Sequence, residues 1–211
     1  MMVTDMSFYK GARACLGGIF KCLFRVRVHG AKNQPAYGGY LVVSNHISFL
    51  DVFTIAVALR PQVRFMAKKE LFSVPVLGGL IKALGAFPVD RKGSAVAPIK
   101  KSIALIESGE VVGMFPTGHR YSGVKFDTTR EHMKGGASMV CNRAKATVLP
   151  MFISTKNDKV ALFRRIDVYV GKPIAFEEFA FEASTSAEYD RGAGIMFERI
   201  VALMPEERRS K

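Results

Sequence analysis

The residues best suited to catalysis are a histidine and an aspartate five positions apart, His46 and Asp51. An imidazole whose second nitrogen is held by a carboxylate is the usual general base for removing a hydroxyl proton. Because five residues along a helix point to different faces, the pair works best if His46 lies in a loop and Asp51 in the first turn of the next helix. A lone histidine is more often structural, but an apolar run directly before His46 makes it a candidate base.

The chain contains none of the motifs that mark covalent or metal-dependent catalysis. It has no G-x-S-x-G elbow, Walker P-loop, H-E-x-x-H or G-x-G-x-x-G. Its three cysteines lack C-x-x-C spacing, which argues against a disulfide framework and a structural zinc site. A His–Asp pair without an enzyme nucleophile suits direct attack of a substrate hydroxyl on an activated acyl group. We therefore expect neither a metal nor a cofactor.

Two arginines, Arg91 and Arg120, each follow an apolar run that predicts a strand. A guanidinium group binds phosphate through two parallel hydrogen bonds, so the two side chains are candidates for a phosphate site. The alternative for either arginine is a plain surface charge.

Alternating apolar segments predict the scaffold that positions these residues. The predicted strands are residues 24–29, 39–44, 63–66, 86–89, 111–115, 147–154, 160–163 and 166–170, and the predicted helices are residues 49–59, 71–84, 98–107, 132–144 and 187–203. This order predicts an α/β fold with a mostly parallel central sheet flanked by helices. Ligands in such folds bind in the loops at the carboxyl ends of the strands, where His46, Arg91 and Arg120 fall.

The composition is both basic and apolar. Lys and Arg number 31 against 18 acidic residues, for a net charge of +13, and the mean hydropathy is +0.14. A hydrophobic content of 49% excludes a disordered chain, and no uninterrupted apolar run is long enough to span a bilayer. Nucleic acid and phospholipid both qualify as anionic partners, but no motif interleaves basic residues with exposed aromatics as nucleic-acid binding would require.

The N-terminal residues predict a basic amphipathic helix. Apolar side chains recur at three- and four-residue steps from Phe8 to Phe24, whereas Lys10, Lys21 and Arg25 fall on the opposite side. Such a helix lies in the headgroup plane of a membrane that contains anionic lipid. The alternative is a helix packed on its own domain with a solvated basic face, and both can hold together. A cleaved signal peptide is disfavoured because Lys21 and Arg25 interrupt its apolar region.

Six segments resemble, in order, the motifs of the glycerophospholipid acyltransferases, which include the 1-acylglycerol-3-phosphate acyltransferases. Residues 45–51 are similar to N-H-x-S-x-x-D, residues 68–78 to K-x-E-L-F…P…G, residues 85–91 to the second family motif, residues 115–120 to F-P-E-G-T-R, residues 134–137 to K-x-G-A, and residues 148–151 to V-x-P.

The resemblance implies an O-acyltransferase that moves a fatty acyl chain from acyl-CoA or acyl carrier protein to the hydroxyl of a lysophospholipid. The acceptor it implies is 1-acylglycerol-3-phosphate, which would give phosphatidic acid. His46 would be the base and Asp51 would orient it. Residues implied in substrate binding are Asn45, Ser48, Lys68, Arg91, Thr117, Gly118, His119 and Arg120. We expect residues 1–26 to be a membrane-associating segment and residues 27–211 to be the acyltransferase domain, peripheral to the cytoplasmic side of a membrane.

The third motif departs from the family pattern. Thr117 replaces the family glutamate and His119 replaces its threonine. A carboxylate that could orient Arg120 or bind the acceptor is therefore missing, because threonine offers only a short neutral hydroxyl. The departure leaves two alternatives to the expected activity: an acyltransferase with a different hydroxylated lipid acceptor, and a non-catalytic protein that binds lipid or acyl-CoA.

Overall fold

A seven-stranded sheet forms the centre of the computed structural model, which describes residues 17–90, 96–118, 120 and 133–209. The strands are β1 (Arg27–His29), β2 (Tyr40–Ser44), β3 (Val63–Lys68), β4 (Phe87–Val89), β5 (Val111–Met114), β6 (Val148–Thr155) and β7 (Ile166–Val170). Their order across the sheet is β1-β7-β6-β2-β5-β3-β4. All neighbours are parallel except β6 and β7. The mostly parallel α/β fold is thereby confirmed.

The five strands β2 to β6 all end at one edge of the sheet, which we call the carboxyl edge. Strands β1 and β7 run the other way and begin there, because β7 is antiparallel to β6 and β1 is parallel to β7. Loops that follow β2, β3, β4, β5 and β6 therefore gather at the carboxyl edge, together with the chain that precedes β1 and β7.

Helices cover both faces of the sheet. The helices are α1 (residues 17–23), α2 (Asp51–Ala58), α3 (Leu77–Ala83), α4 (Val96–Glu107), α5 (Gly136–Ala144), α6 (Ser186–Ala202) and α7 (Glu206–Arg209). In the described part of the chain, no helix has the length and apolar character needed to cross a membrane.

The central strands are mostly apolar because they are covered on both faces. Every residue of β2 and β6 is buried, as expected for inner strands of a parallel sheet. Leu41 and Val43 pack with residues of α4, α5 and α6, whereas Tyr40 and Val42 pack on the other face with residues of α2 and with Phe24. The period of two along β2 thus divides the core into two layers.

Two predicted elements are wrong. Residues 160–163 were expected to form a strand but form a turn in which Phe163 has a φ of 59°. Residues 71–84 were expected to form one helix, but the chain makes a short 3-10 helix, Lys69–Ser73, and starts α3 only at Leu77. The break falls at Pro75 and Val76, where Val76 adopts a φ of 64° that no α-helix contains.

The N-terminal amphipathic helix is described only in part. Residues 17–23 are helical, and the rest of the predicted segment lies outside the described residues. Ile19 and Lys21 are exposed, whereas Phe24 is buried in the layer beneath α2. The end of this segment therefore packs on the domain while part of its surface faces outward.

Candidate active site

His46 and Asp51 form a hydrogen-bonded pair between β2 and α2. The His46 Nδ1 atom lies 2.7 Å from the Asp51 Oδ2 atom. The same oxygen accepts the backbone N–H groups of Ile47 at 2.6 Å and Ser48 at 2.8 Å. Asp51 is fully buried and is the first residue of α2, where a helix N-terminus favours an anion. The loop-and-first-turn arrangement predicted from the spacing is confirmed.

The pair fixes the tautomer and the direction of the imidazole. Because an ionised carboxylate only accepts hydrogen bonds, the His46 Nδ1 atom carries the hydrogen and Nε2 carries a lone pair. The His46 side chain is 16% exposed, and the exposed part of the ring lies at the carboxyl edge. Nε2 is thereby the nitrogen that can take a proton from a bound hydroxyl.

A phenylalanine holds the face of the His46 ring. Phe115, directly after β5, stacks on His46 with ring centroids 3.9 Å apart and planes inclined by 11°. Phe65 of β3 lies next in the row, 5.8 Å from Phe115. Phe115 begins the segment that resembles F-P-E-G-T-R, but the sequence did not indicate a role for it. Its contact with His46 joins the loops after two different strands, β5 and β2.

Asn45, which was expected to bind substrate, bonds through its side chain to the backbone of β6. Its side-chain amide donates to the Ile153 carbonyl at 2.9 Å, and its carbonyl oxygen accepts the Ile153 N–H at 2.7 Å. The residue is buried, so its polar atoms face β6 rather than solvent. Asn45 therefore ties the His46 loop to the neighbouring strand.

The turn after β5 brings a lysine over a glycine. Gly118 adopts a φ of 70°, and its N–H donates to the Phe115 carbonyl at 2.9 Å. A Cβ at Gly118 would lie 2.9 Å from the Lys134 Cδ atom and 3.2 Å from Nζ. The Lys134 side chain therefore lies directly on this glycine. The backbone N–H of Lys134 donates to the Pro116 carbonyl at 3.0 Å and so fixes the residue to the turn. Lys134 begins the segment that resembles K-x-G-A, but the sequence pattern did not indicate that it lies at the site.

Thr117 lies beneath the surface of the same turn. It is only 3% exposed, in contrast to the exposed Gly118 beside it. The side chain at this position is therefore shielded from solvent.

Arg120 stacks on an exposed aromatic ring of the His46 loop. Its guanidinium carbon lies 3.3 Å from the centroid of Phe49. The contact joins the loop after β5 to the loop after β2 and holds a cation at the same edge as His46. The prediction that Arg120 and His46 share one site is consistent with this contact.

The other predicted residues divide into those placed at the carboxyl edge and those outside the described residues. Ser48 lies in the His46 loop, where its hydroxyl accepts the Leu50 N–H at 3.2 Å. Lys68 ends β3 and is exposed at the carboxyl edge. Arg91 and His119 lie outside the described residues.

A second His–Asp pair shows what distinguishes the first. His29 Nε2 lies 2.9 Å from Asp167 Oδ1, and the His29 ring stacks on Tyr169 at 4.6 Å. The His29 side chain is 46% exposed on an edge strand, and Asp167 also pairs with Arg165. His46 instead has a fully buried partner and lies in a loop at the carboxyl edge.

Comparison with known proteins identifies the family. Residues 25–154 match the family model named Acyltransferase. The 1-acyl-sn-glycerol-3-phosphate acyltransferase of Bacillus subtilis is 33% identical over 175 residues, which cover 82% of this chain and 85% of that protein. The enzyme of the same name from Streptococcus pneumoniae is 34% identical over 139 residues, or 64% of this chain and 50% of that protein.

A solved structure has the same fold. The crystal structure of the 1-acyl-sn-glycerophosphate acyltransferase PlsC from Thermotoga maritima aligns with a TM-score of 0.65 and 18% identity, covering 97% of this chain and 79% of that one. The matched region contains the His46–Asp51 pair, the turn after β5 and the Lys134 contact. The chain therefore belongs to the glycerophospholipid acyltransferase family.

Proposed function

We propose that this acyltransferase moves a fatty acyl chain from an acyl thioester to the free hydroxyl of 1-acylglycerol-3-phosphate, giving phosphatidic acid. The observation that carries the proposal is the His46–Asp51 pair, which leaves the His46 Nε2 atom at the carboxyl edge as a base. The names of the Bacillus subtilis and Streptococcus pneumoniae relatives support the acceptor.

In the proposed reaction, the His46 Nε2 atom removes the proton of the acceptor hydroxyl as its oxygen attacks the thioester carbonyl. The bond from that oxygen to the acyl carbon forms, and the carbon–sulfur bond then breaks. The proton held by His46 passes to the departing thiolate, which regenerates the base. Asp51 stabilises the imidazolium while it carries the proton. No metal or cofactor enters this sequence, and acyl-CoA or acyl carrier protein acts as co-substrate.

Basic side chains near the carboxyl edge are the proposed phosphate ligands. Arg120 is held against Phe49, and Lys134 lies on Gly118 in the turn that follows β5. Lys68 at the end of β3 and Arg91 after β4 complete the proposed set. A guanidinium and an ammonium group together suit a phosphomonoester, which carries up to two negative charges.

The proposal must account for Thr117 in place of the family glutamate. Thr117 is buried and neutral, and it directly precedes Gly118, on which the Lys134 side chain lies. Threonine carries no negative charge that could compete with the acceptor phosphate for Arg120 or Lys134. We expect the acceptor range, rather than the acyl transfer step, to depend on this position.

The proposed location is the cytoplasmic side of a membrane, with residues 1–26 as the associating segment and residues 27–211 as the acyltransferase domain. The net charge of +13 and the exposed Ile19 and Lys21 of α1 support contact with anionic lipid. Nucleic acid is not a proposed partner.

The test is acyl transfer by the purified protein with labelled acyl-CoA and, in parallel, acyl carrier protein. Each donor is offered a panel of lysophospholipids, with Thr117→Glu beside the wild type. We expect wild-type turnover with 1-acylglycerol-3-phosphate. Turnover only with another hydroxylated lipid would show that this lipid, and not 1-acylglycerol-3-phosphate, is the acceptor. Binding of acyl-CoA without turnover on any acceptor would contradict the enzymatic proposal and favour a lipid-binding role.

A further inference from the structure

An open cavity of about 600 Å³ lies at the carboxyl edge, on the β6 and β7 side of the sheet. The proposed acceptor site lies on the other side of β2, after β5. We call this cavity the basic pocket; its charged lining comprises Arg25, Lys156, Arg164, Arg165, Arg208 and Asp167. It contains none of the residues assigned to acyl transfer.

The charges of the basic pocket are only partly compensated. Arg208 donates to both carboxylate oxygens of Asp158 at 2.6 Å, and Arg165 pairs with Asp167 at 2.7 Å. In the part of the chain that the structure describes, Lys156 and Arg164 form no ion pair, and both are exposed. The pocket therefore keeps an excess of positive charge that an anionic group of phosphate type would neutralise.

Apolar side chains project next to these charges. Leu162 is 61% exposed and Phe163 is 69% exposed, in the turn between β6 and β7. Phe163 has a φ of 59°, which is uncommon for a bulky residue, and its N–H donates to the Leu23 carbonyl of α1 at 2.7 Å. The turn is thus fixed to α1 and presents two apolar side chains outward instead of burying them.

The same edge carries most of the large hydrophobic side chains that are exposed among the described residues. All of these side chains except Tyr37 come from segments at the carboxyl edge. Ile19 precedes β1, Phe49 follows β2, Val74 and Val76 follow β3, Val96 follows β4, and Leu162 and Phe163 follow β6. Tyr37 precedes β2 at the opposite edge. An apolar fringe beside basic side chains is the composition of a surface that lies on anionic lipid.

We propose that the basic pocket binds the phosphate headgroup of a bilayer phospholipid while Leu162 and Phe163 insert beside it. The excess positive charge matches an anionic headgroup, and the apolar fringe matches the acyl layer below it. A folded acidic protein would account for the charges but not for apolar side chains spread along the whole edge. The pocket gives the enzyme a lipid contact that is separate from its acceptor site and orients the His46 loop toward the bilayer.

The first test measures binding of the full chain to vesicles of phosphatidylcholine, alone and mixed with phosphatidylglycerol, by flotation. Lys156→Ala with Arg164→Ala should weaken binding to the anionic vesicles roughly thirtyfold, since each basic residue near an anionic surface contributes about a factor of five. The matched control, Lys100→Ala with Lys101→Ala, removes the same charge from the exposed side of α4. We expect that control to change binding by less than about threefold. Equal losses of vesicle affinity in the two variants would contradict the proposal that the basic pocket binds the headgroup.

The second test removes the apolar component. Leu162→Ser with Phe163→Ser should weaken binding to both kinds of vesicle about tenfold or more, because burial of each side chain contributes to membrane affinity. Tyr37→Ser, which removes a still more exposed ring at the opposite edge, should leave the binding unchanged. Thermal unfolding of each variant checks the fold, and Arg164→Glu provides a second charge variant with a larger expected loss.

The remaining outcome distinguishes a membrane from a protein partner. If the Lys156/Arg164 variant keeps vesicle binding but loses capture of acyl carrier protein, the pocket is a protein-docking surface and the proposal is wrong. Vesicle binding does not require turnover, so a failure of the proposed acyl transfer would not change the vesicle-binding result. Likewise, unchanged vesicle binding in these variants would not contradict acyl transfer.

Discussion

The imidazole of His46 is restrained in two independent directions, by Asp51 at its edge and by Phe115 on its face. The Nδ1–Oδ2 distance is 2.7 Å, and the His46 and Phe115 ring centroids are 3.9 Å apart. The carboxylate prevents rotation of the ring within its plane, and the phenyl group prevents tilting. The proposed role of His46 depends on both restraints, because a general base works only within hydrogen-bond reach of its proton.

Phe115→Leu should lower kcat about tenfold and leave the acceptor KM nearly unchanged. Leucine fills much of the space but cannot stack, and an aromatic contact of this kind contributes roughly 0.5–1.5 kcal/mol. Steady-state kinetics on the purified variant check this. Phe65→Leu is the matched control, since Phe65 stacks on Phe115, whereas the ring that stacks on His46 is that of Phe115. Loss of kcat in the control alone would contradict the assigned role of Phe115.

Arg120→Lys should raise the acceptor KM at least about tenfold, because lysine loses the bidentate geometry of the guanidinium group. Phe49→Leu should raise the same KM by a smaller factor, roughly two- to fivefold, as expected for the loss of one cation–π contact. Arg199→Lys, at an exposed ion pair on α6, is the control. Unchanged KM in both site variants would show that the Arg120–Phe49 contact does not serve the acceptor.

Gly118→Ala should displace the Lys134 side chain, because the new Cβ would lie 2.9 Å from its Cδ atom. We expect a rise in acceptor KM similar to that of Lys134→Met, about tenfold, and a double variant no worse than either single one. Gly109→Ala is the control: its φ of 85° imposes comparable backbone strain with no atom near the added Cβ. Equal effects of Gly118→Ala and Gly109→Ala on KM would exclude a role for the Lys134 contact.

Tyr40→Phe should raise stability at neutral pH by roughly 1 kcal/mol, because the Tyr40 hydroxyl is buried without a hydrogen-bond partner among the described residues. Burial also raises the pKa of Tyr40 from 10.0 to about 12. The unfolded chain therefore loses this proton at lower pH than the folded protein, and wild-type stability falls as pH rises from about 10 toward 12.

Urea unfolding at about pH 8 and about pH 11 measures this alkaline loss, which should be smaller in Tyr40→Phe than in the wild type. Some loss remains in the variant because burial also raises the pKa of Cys141 from 9.0 to about 12. Tyr37→Phe, at an exposed ring, should behave like the wild type. An identical alkaline loss in Tyr40→Phe and wild type would contradict the assignment.

The sequence predicts the inner sheet well because one physical cause dominates there. All but the last residues of β2 and β6 are apolar because both faces are covered, so a short apolar run indicates a strand. The same rule fails for residues 160–163. Leu162 and Phe163 are apolar but exposed at a turn. A short apolar pattern alone cannot distinguish a buried strand from an exposed apolar turn.

The candidate site is predictable where its parts are neighbours in the chain. His46 and Asp51 are five residues apart, so loop and helix geometry alone brings them together. Phe115 and Lys134 reach the site from other elements, and their contacts depend on how β5 lies beside β2. Asn45 lies next to His46 in sequence, but its side chain bonds to the backbone of Ile153 in β6. That contact depends on the pairing of β2 with β6, which the sequence does not show.

The central claim is tested most directly by kcat/KM for acyl transfer in His46→Ala and His29→Ala. Both variants remove a histidine that is paired with an aspartate and stacked on an aromatic ring. We predict that His46→Ala lowers kcat/KM by about 10²–10⁴-fold while keeping the fold, and that His29→Ala retains wild-type turnover. A folded His46→Ala protein with full acyl transfer would contradict the assignment of His46 as the base.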